Sequence, residues 1–235
     1  MPSFPPVSLI GAPTDIGAGH RGASMGPEAL RVAGIAARLA ARGLDVRDGG
    51  NLTGPVNPWQ PPQDGYRHLP EVVAWNRAVL DAVYAELASG RLPILLGGDH
   101  CLAMGSITAV SRWCREQNKK LRVLWLDAHA DFNTSTITPS GNVHGMPVAC
   151  LCGLGPRELT HLGGSAPALR PAEILEAEDP AQQLADHRWG LVFRCQVAHD
   201  NPSNGPIWLA NRGFDGATAG FAFRQTLFLW IFRCC

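Results

Sequence analysis

Apolar positions fall into two textures along the first 175 residues. Short, nearly unbroken apolar runs occur at Val7-Ser8-Leu9-Ile10, Leu92-Pro93-Ile94-Leu95-Leu96 and Val123-Leu124-Trp125-Leu126. Their length and lack of alternation predict strands buried on both faces. Between them the spacing turns helical. Pro27 to Leu39 predicts a helix with proline in its first turn. Glu71 to Leu87 carries apolar residues at 72, 73, 75, 79, 80, 83, 84 and 87, and Ala103 to Trp113 predicts a third helix. Asp45 to Asp48 is a short strand candidate, and residues 51–68, rich in proline and polar residues, predict a loop. Strands interleaved with helices imply parallel pairing, hence an α/β fold.

After about Glu176 this texture stops. Residues 187–235 hold nine aromatics in 49 positions, against eight in the preceding 186, and no βα alternation is legible there. The chain therefore divides into an α/β region, 1–175, and an anomalous tail, 176–235. No internal repeat is apparent.

The whole chain has 235 residues, 46% of them hydrophobic and 17% charged, with a formal net charge of zero. That is the profile of a soluble globular protein with no basic face for nucleic acid. The N-terminal Met1 to Pro6 lacks the basic and apolar segments of a signal peptide. The longest apolar stretch, Phe221 to Phe232, is interrupted by Arg224 and Gln225 and falls short of the roughly 20 residues of a membrane span. Seven cysteines without a Cys-x-x-Cys pair argue against a disulfide framework and a structural zinc site. The expected location is the cytoplasm, with reduced thiols.

Chemistry concentrates where the predicted strands end. The strand at 123–126 runs into Asp127-Ala128-His129-Ala130-Asp131. Alternate residues of an extended chain face one side, so Asp127, His129 and Asp131 are expected to converge. With 12 aspartates and 8 histidines in the chain, this pattern should arise by chance only about 0.02 times. The strand at 92–96 runs into Gly97-Gly98-Asp99-His100. In open α/β sheets, ligands bind beyond the carboxyl ends of strands, so His100 joins the candidate set. Carboxylates and imidazoles suit Mn²⁺, Zn²⁺ or Fe²⁺, and the lack of a convergent thiolate lowers the case for zinc. Two such metals can share and deprotonate a water for hydrolysis. The plainer alternative is that His129 and Asp131 cap a following helix. A polar segment, Thr136 to Pro147, contains Ser140, Asn142 and His144. It offers hydrogen-bond partners for a polar substrate and a group titrating near neutrality.

Taken together, Gly97-Gly98-Asp99-His100, Asp127-Ala128-His129-Ala130-Asp131 with Asn133, and Ser140-Gly141-Asn142-Val143-His144-Gly145 resemble the ureohydrolase superfamily and, within it, the arginases. The similarity runs from about Val7 to Leu175. It implies a three-layer αβα fold of the arginase/deacetylase kind with a mostly parallel central sheet, incomplete here at the C-terminus. It also implies two Mn²⁺ ions: His100 and Asp131 on one, His129 on the other, Asp127 bridging. Asp131 would also orient a bridging hydroxide. Asn133, Ser140 and Asn142 would bind the amino-acid end of L-arginine, and His144 would carry protons. The implied reaction is hydrolysis of L-arginine to L-ornithine and urea, and the implied assembly is a homotrimer or hexamer. Agmatinases share the metal motifs, but the Ser140–Gly145 loop is similar to that of arginases.

The chain departs from that pattern later on. The family has a further strand ending in Asp-x-Asp and a later glutamate for the guanidinium. This chain contains no Asp-x-Asp, and its last glutamate is Glu178. Two dications about 3.5 Å apart repel by about 19 kcal/mol at an effective dielectric of about 20, and two carboxylates offset only part of that. A complete two-metal cluster is therefore not expected, which leaves a catalytically inert, arginase-like binding protein or subunit as the rival to an enzyme. A second lure, Gly17-Ala18-Gly19-His20-Arg21-Gly22, matches a dinucleotide fingerprint. Pro13 to Ile16 separates it from the first strand, which such a fingerprint does not tolerate. The composition change fits a tail translated out of frame, with a genuinely divergent C-terminus as the alternative. Translating the other two frames of the coding DNA beyond about codon 175 is expected to uncover an Asp-x-Asp strand motif. Its absence from both frames would speak for divergence.

Overall fold

The computed structural model describes residues 4–127, 129–164, 167–176 and 231–234. The remainder of the tail at 176–235 lies outside the described residues. Two three-stranded sheets carry the fold. In the first, β1 (Val7–Ala12) lies between β2 (Val46–Asn51) and β3 (Leu92–Gly97), all parallel. In the second, β4 (Leu121–Trp125) lies between β5 (Ile174–Glu176), parallel to it, and β6 (Ile231–Cys234), antiparallel. Among the described residues β3 pairs with β1 alone.

β1 shows why the chain forms layers. All six of its residues are buried. Val7 and Leu9 join Leu39 and Leu96 in one apolar cluster, packed against Leu30, Ile35 and Ile94. Ile10 and Ala12 point into the other, larger cluster with Val72, Val79, Ile107 and Trp125. Period-two alternation therefore sends one strand's side chains into two cores, with helices outside each. That is the three-layer αβα arrangement expected for a parallel sheet. Helices α1 (Gly26–Val32) and α2 (Ile35–Ala40) cover one face. Helices α3 (Leu69–Ala88) and α4 (Ala103–Glu116) cover the other, followed by the short α5 (Pro147–Leu151) and α6 (Arg157–Thr160). Ser8, the polar exception in β1, is buried between the Glu86 carboxylate and the Arg91 guanidinium. None of these helices is long and apolar enough to cross a membrane.

Two elements differ from expectation. The helix anticipated over Pro27 to Leu39 is two helices, because Gly34 takes a left-handed conformation (φ 80°) that ends the first and caps the second. The strand anticipated at Asp45 to Asp48 extends to Asn51 after an irregularity in its pairing. Among the described residues it is an edge strand, and its exposed Arg47 and Asp48 are the kind of charges that discourage edge-to-edge association.

Helices α3 and α4 approach very closely where Gly105 meets Asn76. A Cβ on Gly105 would lie 2.3 Å from the Asn76 carbonyl oxygen. The fully buried Asn76 side chain accepts from Gly105 N (2.7 Å) and donates to Val72 O (2.9 Å). It thus satisfies an amide in the first turn of α4 that has no partner inside its own helix. Asn76→Ala is expected to cost about 1–3 kcal/mol, read as a lowered urea midpoint at unchanged m. Gly105→Val should cost more, because backbone must move. A shift below about 0.5 kcal/mol in either variant would show that this contact does not support the α3–α4 interface.

Candidate metal centre and substrate loop

The site begins where β3 ends. A Cβ on Gly98 would lie 2.2 Å from Thr14 O, so only glycine lets this backbone meet the loop that follows β1. Gly98 N donates to Ala12 O and Asp99 N to Thr14 O, locking the two strand ends together. Asp99 then starts a short 3-10 turn, His100–Leu102, its carboxylate accepting from Cys101 N at 2.8 Å. The turn carries His100 into the interior, where its ring stacks on Trp125, the last residue of β4, with centroids 4.7 Å apart.

Beyond Trp125 the chain leaves extended geometry. Asp127 and Asp131 turn inward. Asp127 Oδ2 lies 3.1 Å and Asp131 Oδ2 2.5 Å from His100 Nδ1. The second contact is close but not aligned as a hydrogen bond, and it leaves Asp131 Oδ2 buried without one. One donor atom from each of His100, Asp127 and Asp131 lies within 4.8 Å of the others. Asp131 reaches this place with φ at 47°, a left-handed conformation that aspartate tolerates better than most residues. His129 is not brought into this group. Its side chain is 72% exposed, with Nδ1 3.4 Å from Asp127 Oδ1. Alternation predicted that all three motif residues would converge, but it holds only while the chain is a strand, and β4 ends at Trp125. Beyond the strand, His129 N donates to Asp127 Oδ1 and Trp125 Nε1 donates to His129 O.

The electrostatics follow from burial and charge. Burial alone would lower the His100 pKa, but the adjacent carboxylates of Asp127 and Asp131 outweigh it, and the net shift is upward. Burial raises the Asp127 pKa, and His100 together with His129 more than reverses that, so it ends lowered. Asp99, deeper still, is raised by burial, with His144 pulling in the opposite sense. The thiol of Cys101, fully buried beside Asp99, is pushed well above its ordinary range.

The segment carrying the predicted substrate residues is tied by backbone hydrogen bonds to the metal loop. Asn133 N donates to Gly145 O, and Val148 N to Asp131 O, so the metal loop and the 140–145 segment are laced together. His144 sits half-buried in the turn Val143–Gly145, its backbone N donating to Gly17 O at 3.2 Å. Ser140 Oγ accepts from Asn142 N, and Asn142 Oδ1 accepts from Arg67 Nε at 2.8 Å. The glycines at 17–22 are packing residues here. A Cβ on Gly17 would lie 2.8 Å from Asp99 Oδ1, and one on Gly19 would lie 3.4 Å from Asn142 Oδ1. The loop itself is closed by Asp15 Oδ1 accepting from Gly22 N and Ser24 N, and its third glycine, Gly22, caps only the single 3-10 turn Ala23–Met25 that leads into α1. Two participants carried no sequence signal. Trp125 looked like strand core, and Arg67 lay in a loop without a motif.

The comparisons with known proteins agree with this fold. The arginase family profile matches residues 5–183. An arginase of Brevibacillus brevis is 38% identical over 169 residues, 72% of this chain and 55% of its own length. One of Brucella melitensis is 44% identical over 146 residues, 62% and 47% respectively. The chain thus spans about half the length of these relatives. Among solved structures, arginase from Bacillus caldovelox superposes with a TM-score of 0.65 at 33% identity, over 78% of this chain and 62% of that one. Arginase from Bacillus subtilis gives 0.64 at 32%, over 77% and 61%. With the family profile matched over residues 5–183, most of its length, this chain belongs to the arginase family.

Proposed function

We propose that this chain is an arginase-type protein that holds one divalent cation, Mn²⁺ by the chemistry of its donors, and binds a guanidino amino acid, L-arginine, beside it. The observation that carries this reading is the convergence of His100, Asp127 and Asp131 donor atoms within 4.8 Å. Two carboxylates and one imidazole nitrogen are hard and borderline donors of the kind Mn²⁺ takes. Asp131 Oδ2, buried and without a hydrogen bond, is an acceptor that a cation satisfies. When bound, such an ion supplies charge that acidifies water and polarises the substrate. The chain's own residues do the rest. Asn133, Ser140 and Asn142 bind the amino-acid end, Asp131 accepts and orients a proton donor at the centre, and His144 moves a proton between the site and solvent. The donors fit one ion. Among the described residues no second group of three or more ligands exists, and His129 stands outside the first.

The full reaction of the family reading is hydrolysis of L-arginine to L-ornithine and urea. A second reading, favoured by the position of His129 and the missing Asp-x-Asp, is a binding protein or subunit with the arginase fold and no turnover. Cytoplasmic location and assembly into homotrimers or hexamers belong to the same family-based proposal.

Manganese loading followed by elemental analysis is expected to give one tightly held ion per chain, lost in Asp131→Asn. Two per chain would overturn the one-ion reading. Without metal, the raised His100 contributes stability that is full below its ordinary value of 6.5 and lost as pH rises through the folded pKa. The lowered Asp127 contributes stability present above its ordinary 3.8 and lost as pH falls through the folded value. The melting temperature in chelator should therefore peak between about pH 4 and 6.5. Because the cation displaces the His100 proton, Mn²⁺ affinity should strengthen as pH rises through that range. Affinity independent of pH would remove His100 from the ligand set.

Urea release separates enzyme from binder. Product from L-arginine at high protein and Mn²⁺ concentration supports the enzyme, and none together with measurable L-arginine binding supports the inert reading. A preference for agmatine would discard the roles of Asn133, Ser140 and Asn142.

A further inference from the structure

Arg67 stands against the 140–142 loop with a set of contacts that no motif foretold. Its backbone N donates to Gly141 O at 2.8 Å. Its guanidinium donates from Nε to Asn142 Oδ1 (2.8 Å), from Nη1 to Gln60 O (2.8 Å) and from Nη2 to Ser140 O (3.4 Å). All three side-chain partners are neutral. Among the described residues no carboxylate lies within ion-pair distance of it, whereas the arginines at 31, 47 and 91 each have one.

The chemistry of the two side chains decides the orientation of Asn142. A guanidinium only donates hydrogen bonds, and an asparagine amide has one accepting and one donating end. With Oδ1 held by Arg67, the amide must turn its NH₂ group away from the guanidinium. Among the described residues no acceptor meets that nitrogen. Gly19 lies on the other side, where even an added Cβ would make only ordinary contact at 3.4 Å from Asn142 Oδ1, 3.7 Å from Nδ2 and 3.8 Å from Arg67 Cζ. The amide is thus fixed from the guanidinium side. Gly141 (φ 67°), whose Cβ would lie 2.4 Å from Pro62 Cβ, seats the loop against the 60–67 segment. A fixed N–H donor beside an uncompensated positive charge is suited to an anionic oxygen acceptor.

We propose that Arg67 is a positioning and specificity residue that fixes the Asn142 amide with its donors outward and, with its own charge, makes the 140–142 loop select ligands bearing a carboxylate. This rests on the arginine-binding reading above and deepens it. A guanidino amino acid would be preferred over the same molecule lacking its carboxylate.

The test uses the full chain loaded with Mn²⁺, unmutated and as Arg67→Met and Arg67→Lys. Two readouts are taken: calorimetric affinities for L-arginine and agmatine, and the side-chain ¹⁵N–¹H resonances of Asn142. Arg67→Met is expected to weaken L-arginine about tenfold or more, the loss of a charge-assisted contact, with agmatine changed less than about twofold. Arg67→Lys should keep part of the preference through charge while the Asn142 resonances still shift, because a lysine cannot reproduce the planar fork. Equal losses for both ligands, or an unchanged ratio, would overturn the specificity role. If the unmutated chain binds neither ligand, the arginine-binding reading fails on its own account. The Asn142 resonances still decide the positioning role: a shift in Arg67→Met supports it and coincident spectra refute it. Matching circular dichroism melts show that the variants fold.

Discussion

Everything at this site hangs on one imidazole. His100 leaves the end of β3, stacks on Trp125 at the end of β4 and meets the carboxylates of Asp127 and Asp131. The two sheets share no strand pairing among the described residues, so this cluster is a polar seam where their carboxyl ends meet. Two buried carboxylates around one imidazole are costly unless a positive charge joins them. In the metal-free protein a proton on His100 supplies that charge, which is why its pKa rises against the pull of burial. A divalent cation supplies more of it and competes for the same place. The geometry that makes the site a ligand trap also makes the fold around it sensitive to what occupies it.

Around that seam the support is mostly backbone. Glycines at 17, 98 and 141 stand where a methyl group would collide with Asp99, Thr14 or Pro62. Three separate connections, at 12–19, 60–67 and 131–145, are thereby brought within hydrogen-bond distance of one another. Loops gathered at one end of a rigid sheet are how α/β proteins commonly build sites. Here the gathering depends on missing side chains as much as on those present.

Much of this was legible from residue order, and the failures have physical causes. The runs at 7–10, 92–96 and 123–126 became β1, β3 and β4, because a strand buried on both faces leaves a continuous apolar signature. The predicted helix at 27–39 kept its apolar spacing, but Gly34 made a left-handed turn cheap and the helix broke there. His129 stands outside the cluster of His100, Asp127 and Asp131, because strand alternation does not carry past the strand's end at Trp125. Arg67 was invisible because its partners lie 73 and 75 residues away at Ser140 and Asn142 and are neutral. Neither charge pattern nor spacing could announce it.

The left-handed backbone at Asp131 has a consequence for anyone probing this centre. Most side chains pay a steric penalty at φ near 47°, while asparagine and glycine settle there readily. Alanine at 131 would remove a ligand and also press the loop toward another conformation, dragging Asn133 and the hydrogen bond from Val148 with it. Asparagine keeps the shape and the bend and removes only the charge. In this loop the choice of replacement determines whether an experiment reports on electrostatics or on backbone geometry.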